Sequence, residues 1–351
     1  MLSFTFLHHL LGGQGILLAV LGGFFVAHGL WLRWYTRRCQ PLLERAQTIV
    51  TAVLEGATLL ETERVWLCAL PVQLQIRLFT RLAPSLSGVP KQQLTMLAQA
   101  SGLLTRAARH CHSPWWWRRL HGARLLTLLG GGEQVIPALF ADRVALVRAQ
   151  AAVWAVEHPT PAVLQPLLTL LGDEDSLCRL MAQEALLHLG PVVVEPLLQV
   201  LSLPTGPQVE TALVVAVDLA DARFVSPALT LCRSATPGVR ALAATLLATL
   251  GGREGVEMLT ALLDDDVPEV RAAAAQALGK LRHWPAAAAL AALLRDRAWE
   301  VRRAAGFALR ALGAPGLLFL RRSLQDTDRY AADMARHVLG LPDPAGPTVP
   351  V

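Results

Sequence analysis

The chain has 351 residues and a formal net charge of +5, which is divided unevenly along its length. Residues 1–130 carry 13 Lys or Arg against 4 Asp or Glu, a net of +9, whereas residues 131–351 carry 19 against 23, a net of −4. The net acidity of the longer part argues against a groove that follows a phosphate backbone, so nucleic-acid binding is not expected. The five cysteines lack metal-type spacing and are typical of free thiols in a reducing compartment: Cys39, Cys68, Cys111, Cys178 and Cys232.

Residues 1–35 have the composition of a membrane anchor. No Asp, Glu, Lys or Arg occurs before Arg33, and the apolar stretch over 10–32 is long enough to cross ~30 Å of hydrocarbon. Arg33, Arg37 and Arg38 follow the stretch, whereas a cleaved signal carries its positive charge in front. The charge placement predicts an uncleaved single-pass protein of the cell (inner) membrane, with its N-terminus outside and its body in the cytoplasm.

Small residues recur every fourth position within this span, at Gly15, Ala19, Gly23 and Ala27. Such a face lets two membrane helices approach closely, so these residues are candidates for helix packing. Glycine and alanine are also common in membrane helices generally, and both interpretations stay open.

Residues 36–112 predict a less regular helical region. Apolar side chains from Leu42 to Leu54 form an amphipathic stripe, Gly88–Pro90 predicts a turn, and helices are expected over Val72–Leu82 and Leu94–Ala108. Ser113 and Pro114 are expected to open the next helix.

Three consecutive tryptophans, Trp115, Trp116 and Trp117, begin that helix and precede two arginines. Successive helical residues point about 100° apart, so at least one indole is expected to be exposed. Tryptophan beside arginine suits the headgroup layer or a protein interface, whereas the alternative is that the indoles cover the end of a core.

Residues 113–340 are dominated by a repeated dipeptide. It recurs at intervals of 30 or 31 residues as Val147-Arg148, Cys178-Arg179, Val209-Glu210, Val239-Arg240, Val270-Arg271 and Val301-Arg302. Each interval predicts two helices, the second preceded by a turn such as Asp264–Asp266, which is expected to cap a helix from Pro268. Gly279 is expected to cap the end of that helix. A period of this length predicts an all-α solenoid.

These units resemble the HEAT family, in particular the short bacterial HEAT-like repeats first associated with phycobilisome lyases. The matching features are the acidic turn, the Val-Arg pair, the Ala pair and the closing Leu-Gly, as in Asp266, Val270-Arg271, Ala274-Ala275 and Leu278-Gly279. Glu210, Cys178 and Ala331-Ala332 depart from the pattern. The resemblance implies an extended protein-binding surface and, as an alternative, a HEAT-type lyase or chaperone acting on a bilin or another protein substrate.

The repeated arginines have two interpretations. Arg148, Arg179, Arg271 and Arg302 follow Asp142, Asp173, Asp265 and Asp296 by six residues, which favours a structural turn-to-helix ion pair or hydrogen bond over a row of ligand contacts. The candidate contacts on a second helix are instead Glu300, Arg303 and Arg310.

The sequence predicts a membrane-anchored, non-catalytic scaffold that binds a protein partner, and a polytopic membrane protein is one candidate for that partner. The sequence contains no recognised catalytic or ligand-binding motif. We therefore expect no catalytic site, cofactor site, metal site or small-molecule site. Residues 341–351 contain four prolines and predict a disordered tail.

Overall fold

A computed structural model describes residues 22–23, 26–30, 37–55, 57–58, 60–203 and 206–340. Within these ranges the protein consists of α-helices and short 3-10 helices without a β-strand, which confirms the all-α class and the solenoid prediction for the repeats. Most of the predicted anchor, including Gly15 and Ala19, lies outside the described residues. So does the proline-rich tail from residue 341.

The chain divides into two compact units, Met1–Glu133 and Gln134–Val351. The first unit contains a helix over 37–54 (α1), Glu61–Ala69 (α2), Val72–Leu82 (α3), Gly88–Ala100 (α4), Leu103–Cys111 (α5) and Trp116–Leu129 (α6). The unit ends at Glu133, so α6 belongs to it, and the division does not coincide with the domain boundary predicted at residue 112.

The helix bounds predicted for the first unit agree with the structure at some positions and differ at others. The bounds of α3 are those predicted, and Leu43, Ala46 and Val50 of the predicted stripe are buried. The single helix predicted over Leu94–Ala108 is wrong, because Gly102 adopts a left-handed φ of 73° and separates α4 from α5. The helix predicted to open at Ser113 and Pro114 starts at Trp116 instead.

The second unit is a series of helix pairs. In chain order these are Ile136–Leu139 (α7), Ala145–Glu157 (α8), Leu164–Leu170 (α9), Ser176–Leu189 (α10), Val194–Leu201 (α11), Pro207–Leu219 (α12), Val225–Leu231 (α13), Pro237–Leu250 (α14), Arg253–Ala261 (α15), Pro268–Lys280 (α16), Ala287–Ala292 (α17), Trp299–Ala311 (α18), Ala314–Ser323 (α19) and Arg329–Leu339 (α20). Even-numbered helices are the second members of the pairs.

Each second helix buries the first residue of the repeated dipeptide. Val147, Val209, Val270 and Val301 are fully buried, and Val239 is 2% exposed. The second helices pack side by side, as at Gly279, where an added Cβ would lie 2.7 Å from the Ala308 Cα of α18. Gly279 lies inside α16, so its predicted role as a C-terminal cap is wrong and its small size serves close helix packing instead.

The repeated arginines connect consecutive repeats. Arg271 donates from Nε and Nη2 to the two carboxylate oxygens of Asp296, at 2.8 and 2.9 Å. Arg148 binds Asp173 in the same way, and so does Arg240 with Asp265, at 2.7 to 2.8 Å. Each carboxylate lies 25 residues ahead of its arginine, in the turn of the next repeat. These bidentate bonds hold one turn against the next.

The six-residue connection, predicted as an ion pair or a hydrogen bond, is a hydrogen bond from the arginine to the main-chain oxygen of the aspartate. Across six residues, Arg271 Nη1 donates to the main-chain oxygen of Asp265, at 2.8 Å, while the Asp265 carboxylate accepts from Arg240 of the preceding repeat. The same carboxylate also accepts from the Val267 N–H at 2.9 Å. The N-cap residue of α16 is Val267, and the acidic turn supports the helix start at Pro268 through this side-chain bond.

The arginine ladder is interrupted in the middle of the unit. Glu210 stands at the arginine position of α12, and Ser234 occupies the position of the following aspartate. An added Cβ on Gly238 would lie 2.7 Å from Glu210 Oε1, so the glycine leaves room for this carboxylate. The neighbouring Arg179 donates to the main-chain oxygens of Asp173 and Glu174. The bidentate bond also stops at Arg302, which donates to the main-chain oxygens of Asp296 and Arg297, while Asp326 of the next turn accepts from Arg295.

A left-handed residue follows five of the second helices at the repeat interval. Positive φ angles occur at Gly190, Ala220, Gly251, Arg282 and Gly313. Glycine adopts this conformation freely, whereas a residue with a Cβ is strained there by about 1–2 kcal/mol. Ala220 and Arg282 therefore carry strain that the turn imposes on them.

One helical stretch in the described part of the chain, Ser176–Leu201, is long and apolar enough to span a membrane by length and composition. It combines α10 and α11 with the 3-10 turn Gly190–Val193 between them. Core helices of soluble proteins have the same length and composition, so the stretch is weak evidence for a span. The predicted anchor over 1–35 stays a prediction.

Asp296→Asn is expected to lower the free energy of unfolding by roughly 3 kcal/mol, because it removes the countercharge of Arg271, whose side chain is 16% exposed. The matched control is Glu257→Gln, which breaks an ion pair with side chains 92% and 64% exposed and should change stability by less than about 0.5 kcal/mol. Chemical denaturation measures both, and equal losses would contradict the proposed importance of the ladder.

Acidification provides a second arm of this experiment. Burial disfavours the Asp296 anion, but hydrogen bonds from Arg271 and from the Ala298 N–H outweigh burial and lower the pKa of this carboxyl. Its contribution to stability is present above the unfolded pKa of about 3.9 and is lost as the pH falls through the lower folded value. The Asn variant should lack this part of the acid sensitivity.

Ala220→Gly is expected to raise the free energy of unfolding by about 0.5–1 kcal/mol, because glycine relieves the left-handed strain despite its greater entropy in the unfolded chain. Ala216→Gly, inside α12, is the control and should destabilise the protein. A destabilised Ala220→Gly variant would show that the alanine side chain contributes more than the strain costs.

Candidate functional site

An exposed stripe of aromatic and basic side chains runs along α18. Trp299 is 56% exposed and Phe307 is 42% exposed, and Arg303 lies between them. The Cζ of Arg303 lies 5.4 Å from the centroid of the Trp299 ring, within range of a cation–π contact. Arg310 continues the stripe at the end of the helix. Helical spacing of three or four residues places these four side chains on one face.

The stripe continues onto α20 through three contacts. The Cζ of Arg302 lies 5.0 Å from the Tyr330 ring, and the Phe307 and His337 rings meet edge to face with centroids 6.3 Å apart. Arg310 Nη1 donates to the main-chain oxygen of Val338 at 3.3 Å. Together these side chains form one surface, which we call the aromatic–arginine face: Trp299, Arg303, Phe307, Arg310, Tyr330 and His337.

The repeat itself does not require this composition. At the equivalent positions of α16, one repeat earlier, the chain has Pro268, Ala272, Gln276 and Gly279 in place of the two aromatic and two basic residues of α18. At those of α14 it has Pro237, Ala241, Thr245 and Ala248. Those helices stack and bury their core residues without a large aromatic side chain on this face. The aromatic and basic side chains are therefore surplus to repeat packing.

The charge of the face is mainly positive. Arg303 and Arg310 make a cation–π contact and a main-chain hydrogen bond, and within the described part of the chain neither forms an ion pair of 4.0 Å or less. The ladder arginines differ, since Arg271 is almost buried against its carboxylate. Glu300 is exposed at the edge of the face. Both guanidinium groups can therefore donate hydrogen bonds to carboxylates from outside the chain.

The model of the family described as HEAT repeats matches residues 225–310, from α13 into the last turns of α18. These residues are HEAT-like repeats. HEAT repeats indicate a protein-interaction scaffold. No curated protein matches the chain.

Several solved structures resemble the chain at low sequence identity. An engineered protein is 19% identical, with 84% of this chain and 98% of that chain covered and a TM-score of 0.39. Human deoxyhypusine hydroxylase in complex with glycerol is 23% identical, with coverages of 72% and 98% and a TM-score of 0.30. The complex of CpcE and CpcF of phycocyanin lyase from Nostoc is 17% identical, with coverages of 68% and 93% and a TM-score of 0.33.

The interface candidates predicted on the last HEAT-like repeats lie together on α18. Glu300, Arg303 and Arg310 are all exposed, and the two arginines belong to the aromatic–arginine face. Sequence reasoning missed Trp299, Phe307 and Tyr330. The available signal was the repeat alignment, in which Trp299 occupies the first helical position that Pro237 and Pro268 hold in the two preceding repeats. The predicted role of Glu300, Arg303 and Arg310 in partner binding stays a prediction.

The tryptophan trio lies in the first unit, outside the HEAT-like repeats of the second. Trp115, Trp116 and Trp117 are 53%, 41% and 50% exposed, so all three indoles reach the surface. Of the predicted membrane-packing residues, Gly23 and Ala27 are described, and both are exposed. Their role in helix packing stays a prediction.

The cysteines show no sign of activation. Burial raises the pKa of the Cys111 and Cys178 thiols to about 11 and that of Cys232 to about 12. These three side chains are buried and behave as small apolar fillers. His110, Cys111 and His112 adjoin in sequence, but among the described residues no group of three or more His, Cys, Asp or Glu side chains converges on a metal position.

Proposed function

We propose that this HEAT-like repeat protein is a non-catalytic scaffold that holds a partner protein against the aromatic–arginine face of α18 and α20. The observation that carries the proposal is the replacement of small or polar residues by Trp299, Arg303, Phe307 and Arg310 at positions where the preceding repeats pack without them. Tryptophan, tyrosine and arginine are the residues most enriched in binding hot spots. Their exposure has a cost in solvation that binding would remove.

The chemistry of the face favours an acidic partner segment with apolar side chains. Arg303 and Arg310, which have no carboxylate partner among the described residues, can bind Asp or Glu of a partner. The rings of Trp299, Phe307 and Tyr330 offer apolar area on the same face. Glu300 at the edge would repel a carboxylate placed there and so help to fix the orientation of the segment.

The location proposed for the scaffold is the cytoplasmic face of the cell (inner) membrane. The support is the apolar sequence over 10–32 and the three arginines that follow it. An anchored scaffold meets membrane proteins at high local concentration, so a polytopic membrane protein is the partner we favour.

A paired-variant capture experiment tests the binding face. Full-length tagged protein is purified in mild detergent from cells of its own source, and co-purified proteins are identified and quantified. The Trp299→Ala/Phe307→Ala variant should lose its main partner, because removal of a hot-spot aromatic costs roughly 2 kcal/mol or about thirty-fold in affinity. Arg303→Glu/Arg310→Glu should lose the same partner through charge repulsion.

The control variants carry the same kinds of substitution at exposed positions on the first helices of the pairs or in the turns before them. Trp284→Ala/Leu318→Ala removes two apolar side chains that are 65% and 68% exposed, and Arg321→Glu/Arg322→Glu reverses two exposed charges of α19. Both should retain the partner. Equal retention by all four variants would contradict binding at the aromatic–arginine face.

A labelling experiment tests the proposed location. In a variant with Cys39 and Cys68 replaced by Ser, a single Val351→Cys residue should react with a membrane-impermeant maleimide only after the inner membrane is opened. The reason is the position of Arg33, Arg37 and Arg38 on the C-terminal side of the apolar stretch. Labelling of the intact cell surface would overturn both the orientation and the cytoplasmic location.

A further inference from the structure

A second exposed aromatic cluster lies in the first unit, at the tip of the α5–α6 hairpin. The Trp115 and Trp117 rings are tilted by 31° with centroids 4.8 Å apart, and the Trp116 ring meets Trp117 edge to face at 6.2 Å. The indoles contact one another, and each keeps at least 41% of its surface exposed. They form a single protruding aromatic group rather than the lid of the core.

The hairpin that carries this cluster is rigid. An added Cβ on Gly122 of α6 would lie 2.5 Å from the Ala107 carbonyl oxygen and 3.0 Å from Cys111 Sγ of α5, so the two helices are in close contact. The connection is fixed as well, because Arg119 Nη1 donates to the main-chain oxygens of Ser113 and Pro114 at 3.0 Å. The three indoles are therefore presented on an ordered support.

The segment of sequence that contains the cluster carries one sign of charge. Between Glu63 and Glu133 the sequence has nine Lys or Arg residues and no Asp or Glu. Arg118 is exposed beside the cluster, and Arg109 is exposed in the last turn of α5. Trp117, His121 and Arg124 follow one another along the exposed side of α6. A surface that contacts this hairpin meets only neutral or positive side chains from this segment.

We propose that the hairpin tip, formed by Trp115, Trp116, Trp117 and Arg118, docks into the headgroup layer of an anionic lipid bilayer. Indole rings favour this layer because they combine an apolar body with one N–H donor, and aromatic belts of membrane proteins lie at the same depth. The arginines add attraction to anionic lipids, which falls off within a Debye length of the surface. The proposal is independent of the aromatic–arginine face of the second unit.

A bilayer fits the hairpin better than a protein surface does. Protein interfaces are assembled from complementary groups of both signs, whereas an anionic bilayer offers one sign over a wide area. The long segment without an acidic residue matches that uniform field. The aromatic–arginine face differs in this respect, because Glu300 lies at its edge.

Fluorescence quenching of the full-length protein tests the proposal. The emission of the trio is the difference between the parent spectrum and that of Trp115→Phe/Trp116→Phe/Trp117→Phe. The subtraction removes the emission of the other tryptophans, including Trp31 and Trp34. In vesicles of phosphatidylcholine and phosphatidylglycerol, lipids brominated near the headgroup should quench most of this difference emission and shift it to shorter wavelength. About 1 M salt, where the Debye length is about 3 Å, should reduce the quenching.

The matched control uses the two exposed indoles of the second unit. The difference emission obtained with Trp284→Phe/Trp299→Phe should be unchanged by the brominated lipids. The single variant Trp116→Phe, which keeps two of the three indoles, provides the same subtraction if the triple variant folds poorly. Vesicles of phosphatidylcholine alone should quench the emission of the trio less than the anionic vesicles do.

Two outcomes would overturn the proposal. In the first, the difference emission of the trio is unquenched in anionic vesicles and stays at the wavelength of indoles in water. In the second, the trio is shielded from aqueous iodide in native membranes but not in pure lipid vesicles, which would identify a protein partner instead. Neither outcome bears on capture of a partner by α18.

Discussion

The structure of the second unit depends on contact between successive repeats. A short helix pair cannot bury its apolar face alone, and here Val270, Ala274 and Ala275 of α16 are completely buried within the stack. The bidentate bond from Arg271 of α16 to Asp296 joins this repeat to the turn of the next one. Apolar packing and this bond together fix the position of each repeat relative to the next. The exposed side chains of each second helix take no part in this packing and can differ from repeat to repeat.

The ladder arginines are not the candidate site, because they are already used to join successive repeats. The ladder guanidinium groups of Arg148, Arg240 and Arg271 are 15% to 18% exposed and already hold carboxylates. The arginines with binding capacity, Arg303 and Arg310, lie outside the ladder and beside surplus aromatic rings. In a repeat protein, the departures from the repeat are more informative about binding than the repeat itself.

The sequence predicted what depends on local spacing. The helix pairs, the start of α16 at Pro268 and the bounds of α3 follow from residues a few positions apart. The partner of each ladder arginine did not follow, because the offset between consecutive turns is a property of the three-dimensional stack. The strain at Ala220 and Arg282 was hidden for a similar reason, since neither residue type signals a left-handed turn. The continuation of the aromatic–arginine face onto α20 did not follow from the sequence either, because it depends on contacts between helices such as that of Phe307 with His337.

Photo-cross-linking at single positions tests the central claim most directly. A benzophenone amino acid placed at Phe307, on α18, should form one dominant adduct with a protein partner after irradiation of native membranes. The same group at Leu318, which is 68% exposed on α19, should form little or none. Equal adducts at both positions, or an adduct at Leu318 alone, would contradict the assignment of the second helices of the last repeats as the partner-binding surface.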